Sequence, residues 1–138
     1  MRSVRLVLAL ILLSCAPAAF ASALPSADDA VAASKSWVAE IDSKAYADSW
    51  KDASAFFQGG VSQDKWEGMV QSIREKLGSM QGRVFDAIKL TKSLPGVPDG
   101  DYAIVSFRSS FANKADATET ITLILENGHW KAGGYFIR

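Results

Sequence analysis

One cysteine and one histidine in 138 residues leave little room for thiol or metal chemistry. Cys15 lies near the N-terminus, so everything after it lacks a thiolate nucleophile, a cysteine metal ligand and a disulfide. Stability there must come from packing, although an exported protein is permitted disulfides. His129 has no second histidine or cysteine with which to build a zinc site. No nucleophile-elbow pattern accompanies it, as serine–histidine–acid chemistry would require. A phosphate-binding glycine motif is also missing. Charge of one sign is lacking too. Fifteen basic and fifteen acidic residues cancel, which argues against a general nucleic-acid binder. There is no run of like charges, no internal repeat and no low-complexity segment. No catalytic set, metal site or cofactor is therefore read from the chain.

Long apolar runs are scarce as well. Leu6 to Leu13 is unbroken, but it is too short to span a bilayer well. It follows Arg2 and Arg5 and precedes Ala21-Ser22-Ala23, a small-residue cleavage site. That order reads as a secretory signal peptide over residues 1–23. It predicts one exported domain over 24–138, periplasmic or secreted. Leu12-Leu13-Ser14-Cys15 offers an alternative, a bacterial lipobox that would leave a lipid anchor at Cys15. Cleavage after Ala23 removes two arginines and no acid, so the remaining domain is slightly acidic.

The rest of the chain is patterned. Ser26 suits a helix N-cap, and Ala30, Ala33, Trp37 and Ile41 recur at helical spacing, predicting a helix over 27–43. Tyr46, Trp50, Ala53 and Phe57 predict a second over 45–57, ended by Gly59-Gly60. Trp66, Met69, Val70, Ile73 and Leu77 form the clearest stripe, between Ser62 and Gly78. Trp37, Trp50 and Trp66 each sit in an apolar stripe, which marks core and not an aromatic ligand cage. Residues 83–93 read as a strand. Leu94 to Asp101 is dense turn chemistry, and Asp99 and Asp101 lack the further oxygen ligands that a calcium loop needs.

Tyr102–Phe111 is the next strand, followed by a polar connection over 112–116. Asn127-Gly128 between two alternating runs predicts a tight hairpin. A two-residue loop pairs Leu125 with Trp130, Leu123 with Ala132, Ile121 with Gly134 and Glu119 with Phe136. That register puts Phe136 on the core face and Tyr135 on the polar one. Matching apolar faces sets Phe107 opposite Ile121 and Ser109 opposite Glu119. Helices followed by strands imply an α+β domain. The prediction is three N-terminal helices packed on a curved four-stranded antiparallel sheet, resembling nuclear-transport-factor-2-like and cystatin-like folds.

The segments Leu94-Pro95-Gly96-Val97-Pro98-Asp99-Gly100-Asp101-Tyr102, Glu119-Thr120 and Gly128 to Arg138 resemble a bacterial family. It is known as domain of unknown function 4019. Trp50, Trp66, Arg74, Leu77-Gly78 and Arg83 resemble it too, whereas Gly133 stands where a larger β-forming residue is expected. The resemblance implies a small exported bacterial domain and assigns no activity.

One residue breaks a local rule. Glu119 falls on the face of Ile121, Leu123 and Leu125, and a charge there must be paired, at the rim or functional. Pairing with Arg74 or Arg83 would tie helix to sheet. Glu119, Ser109 and Tyr46 are the candidate ligand-binding residues, with Glu119 and Tyr46 the acid and tyrosine of an internal pocket. Of Asp42, Asp48 and Asp52, only the last two can share a helix face, and with Lys44 and Lys51 nearby that face reads as solvated. The expected role is a non-catalytic envelope domain that binds a protein or small ligand. The alternative is an acid–base isomerase or dehydratase.

Overall fold

The computed structural model describes residues 24–138. The predicted signal peptide and the anchor at Cys15 lie outside the described residues. Four helices precede four strands: α1 (Ala27–Asp42), α2 (Tyr46–Asp52), α3 (Ala55–Gly60) and α4 (Gln63–Leu77), then β1 (Met80–Thr91), β2 (Tyr102–Phe111), β3 (Lys114–Glu126) and β4 (His129–Ile137). The strands form one antiparallel sheet in chain order. Among the described residues no helix is long and apolar enough to cross a membrane.

Ser26 caps α1 with a reciprocal box: its hydroxyl accepts from the Asp29 amide, and the Asp29 carboxylate accepts from the Ser26 amide at 2.7 Å. Ala30, Ser34, Trp37, Val38 and Ile41 bury one face of this helix. The chain then reverses through Lys44, whose φ of +64° swings α2 back on α1. The expected single helix over 45–57 is two. Ser54 gives its amide to the Ala132 carbonyl at 2.8 Å, and its hydroxyl caps α3 through the Phe57 amide. Gln58 closes the gap, donating from Nε2 to the carbonyls of Trp50, Lys51 and Ala53. Contact with β4 overrides local periodicity there. The helical stretch does end at the Gly59-Gly60 pair, with Gly60 the last residue of α3 and Val61 already extended.

The tryptophans are core. Trp37 and Trp66 stack with centroids 5.8 Å apart, and Phe57 meets Trp66 edge-on at 4.9 Å. Both indoles satisfy their N–H on Ser49: Trp37 on its carbonyl at 2.7 Å, Trp66 on its hydroxyl at 2.9 Å. Trp50 donates to the Val61 carbonyl. The α4 stripe is narrower than its apolar residues suggest, since Trp66, Val70 and Arg74 are buried while Met69 and Ile73 stay half in solvent.

Asn127 and Gly128 both have positive φ, as a two-residue loop demands. The register then follows the sequence as far as Leu123 opposite Ala132 and breaks there. A bulge at Gly133 brings Gly134 opposite Thr122 and Tyr135 opposite Ile121. The shift exchanges the faces of the last residues. Tyr135 turns inward and Phe136 turns out, 67% exposed, reversing the expected pair. A Cβ at Gly133 would lie 2.7 Å from Ile124 Cδ1, which explains the glycine. Gly133→Val is expected to cost about 1–3 kcal/mol in denaturant melts, the range for overpacking; an unchanged midpoint would mean that the bulge tolerates a side chain.

Between β2 and β3 the register is two residues away from the expected one. Val105 faces Ile121 and Phe107 faces Glu119. The cause is the connection, which is Ala112-Asn113 alone because β3 begins at Lys114. β1 also starts earlier than expected, at Met80. Helix α1 lies across the inner face of the sheet, and α4 packs on α2. The core between them is Ala30, Trp37, Ile41, Trp66 and Val70 against Val105, Phe107, Ile121 and Leu123.

Candidate functional site

Inside this core lies a chain of charge that touches α1, α4 and all four strands. Glu119, on β3, is fully buried. Its Oε1 accepts from Arg83 Nε at 2.7 Å and from the Ser109 hydroxyl, and its Oε2 accepts from Arg83 Nη2 at 3.1 Å and from the Tyr135 hydroxyl. Arg83 reaches in from β1 and uses its other edge on Asp42: Nη1 donates to Oδ2 at 2.6 Å and Nη2 to Oδ1 at 3.1 Å. Arg74, on α4, donates to the same Oδ1 at 2.6 Å. Its guanidinium also lies 5.0 Å from the centroid of Phe111. Two cations and two anions thus neutralise each other with two bidentate contacts on one arginine.

The electrostatics follow. Burial pulls the Asp42 carboxyl upward, but the bonds from Arg83 and Arg74 win and hold it below the usual carboxylate range. Burial and then the charge of Glu119 push the Tyr135 hydroxyl far above its ordinary value, so it serves as a donor. Burial opposes the charge on Arg83, and its bonds to Asp42 and Glu119 more than restore it.

The structure joins Glu119 to Ser109 although they are not cross-strand partners, because Ser109 reaches it diagonally. It does not join Glu119 to Tyr46. The tyrosine beside Glu119 is Tyr135, brought inward by the bulge. Tyr46 instead lines an open cleft of about 800 Å³ with Ile41, Asp42, Lys44, Gln71 and Arg74, at the end of α4. Asp42 and Arg74 belong to both features: they face the cleft on one side and the buried network on the other. The sequence reading set Asp42 apart from the face of Asp48 and Asp52 and gave it no role. A signal was present, because an acid as the last residue of a helix opposes the helix dipole and needs a compensating cation. Asp48 is solvated as expected, beside Lys51 at 3.8 Å.

A family model described as protein of unknown function (DUF4019) matches residues 33–135. The chain belongs to the DUF4019 family. The matched span holds Asp42, Tyr46, Arg74, Arg83, Ser109, Glu119 and Tyr135, so network and cleft both lie within the family's domain. No curated protein sequence matches the chain. Among solved structures it is similar to Aln2 from a Streptomyces species, with a TM-score of 0.51 and 13% identity, over 84% of this chain and 93% of that one. At that identity the likeness concerns the fold: N-terminal helices on a four-stranded antiparallel sheet, of the nuclear-transport-factor-2-like kind.

Proposed function

We propose that this DUF4019 protein is an exported, non-catalytic binding module of the cell envelope, and that the cleft beside Tyr46 takes a small ligand. The observation that carries the reading is the cleft itself. Its volume of about 800 Å³ falls in the range of small-molecule sites, roughly 300–1,000 Å³. Its wall carries a charged pair, Asp42 and Arg74, held from behind by Arg83. Glu119 and Ser109 support the site by fixing Arg83, and Tyr46 contacts the ligand. Glu119 is poorly suited to acid–base chemistry, because it is fully buried and each of its oxygens already accepts two hydrogen bonds.

A screen of small polar metabolites by thermal shift tests the binding role. A ligand at a hundred times its Kd adds about 2.7 kcal/mol of apparent stability. Tyr46→Ala is expected to abolish that shift while leaving the unliganded protein folded. A shift that survives this change would place the ligand elsewhere, and no shift across a broad library would oppose the reading. Export rests on the leader pattern of residues 1–23, and intact mass of the secreted product tests it. A chain beginning at Leu24 is expected; a lipidated N-terminal Cys15 would make the protein an anchored lipoprotein.

A further inference from the structure

We propose that Glu40 and Asp52 form a proton-operated latch between α1 and α2, closed while the two carboxyl groups share one proton and loosened when it is lost. Glu40 lies in the last turn of α1, and Asp52 is the last residue of α2. Both side chains line one shallow surface hollow between the two helices and β4, which brings the carboxyl groups together. Glu40 Oε2 is buried and, as a carboxylate oxygen, has no donor. A buried acceptor left without a donor is costly. A proton on Glu40 removes the fault, since the acid then donates to Asp52.

The surroundings favour that proton. Asp48 and Asp52 of α2 both face Glu40 with negative charge, although Lys51 pairs with Asp48 at 3.8 Å, and Lys131 of β4 pulls the Glu40 carboxyl the other way. Burial, then the bond and charge of Asp52, push the Glu40 carboxyl up to about 7. That hollow, about 260 Å³ and open to solvent, is also walled by Trp37, Trp130 and Lys131 and gives the two side chains room to part.

The placement of α2 gives the latch a consequence. Ser49 pins the middle of this helix through Trp37 and Trp66. Asp52 lies at one end and Tyr46 at the other, on the wall of the cleft. Releasing Asp52 lets the helix rock about Ser49 and move Tyr46. That last step rests on the binding role proposed for the cleft, whereas the latch does not.

The sign of the pH dependence is fixed. The folded value of Glu40 lies above its ordinary 4.5, so in the window between them the folded chain holds a proton that the unfolded chain has released. The contribution of Glu40 to stability is full below about 4.5, falls as pH rises to about 7 and is gone beyond. Glu40→Gln keeps a donor toward Asp52 at every pH. In denaturant melts of the purified protein, its folding constant relative to wild type is expected to rise about tenfold between acidic and neutral pH, after allowance for solvent screening. Hydrogen exchange of the α2 amides, corrected for intrinsic rates, should speed up through neutrality in wild type and not in the variant. Should Glu40→Gln fail to fold, the side-chain carboxyl resonance of Glu40 in wild type replaces it, with an expected midpoint near 7. A constant stability ratio, identical exchange profiles, or a midpoint at the ordinary glutamate value would overturn the latch. Because none of these readouts uses a ligand, a failed ligand screen leaves their outcome separate.

Discussion

Arg83→Met is expected to destabilise the protein by about 3–5 kcal/mol, the cost of removing one partner from a buried ion pair. The reason is Glu119. It has no solvent exposure, and half of its four hydrogen bonds come from Arg83. Methionine fills the space of the aliphatic stem and leaves a carboxylate held only by two hydroxyls. Asp42 loses two bonds in the same change and keeps Arg74. The pH dependence should change as well. The depressed Asp42 carboxyl stabilises the fold above its unfolded value of about 3.8, and that contribution is lost as pH falls through the lower folded value. Without Arg83 the acid-side loss should shrink. Denaturant melts at neutral and acidic pH measure both effects. A cost below about 1 kcal/mol, the size of a surface substitution, would mean that Glu119 finds another cation or takes a proton readily.

Trp66→Ala should cost a similar amount, about 3–5 kcal/mol, by the cavity a buried tryptophan leaves. The indole is stacked on Trp37, met edge-on by Phe57, and its N–H is bonded to the Ser49 hydroxyl. Its removal therefore loosens α2 and α3 together, since Ser49 is the point at which both large indoles hold α2. Equilibrium melts followed by circular dichroism check the magnitude. A loss within the surface range would mean that the aromatic cluster repacks around the gap.

The two residues were not equally legible. Trp66 announces itself by helical spacing, and the structure buries it with its neighbours. The α+β order, the Asn127-Gly128 loop and the pairing as far as Leu123 with Ala132 were readable for the same reason: each is dictated by a local rule. Glu119 was readable as an anomaly, and its pairing with Arg83 was one of two arginines that the sequence suggested. What was hidden arises from one extra residue or one contact across the fold. The bulge at Gly133 reverses Tyr135 and Phe136, and periodicity alone cannot show a residue that drops out of step. The break between α2 and α3 depends on Ser54 bonding to Ala132, a residue far along the chain. The role of Asp42 was hidden because its partners, Arg74 and Arg83, lie on elements that only the fold brings to the end of α1. Tyr46, expected as the tyrosine partner of Glu119, opens α2 beside the end of α1 and so faces the cleft, and Tyr135 takes the place beside Glu119.

The claim on which the rest depends is that Arg83 and Glu119 form one buried unit from which Asp42 and the cleft wall are held. A double-mutant cycle of Arg83→Met and Glu119→Gln tests it most directly. Glutamine keeps the size of Glu119 and carries no charge; its carbonyl oxygen accepts from one hydroxyl and its amide donates to the other once that hydroxyl rotates, so methionine no longer faces an unpaired anion. The double variant is expected to be more stable than Arg83→Met alone, with a coupling of about 1–3 kcal/mol between the sites. Losses that simply add, with the double variant less stable than either single one, would contradict it.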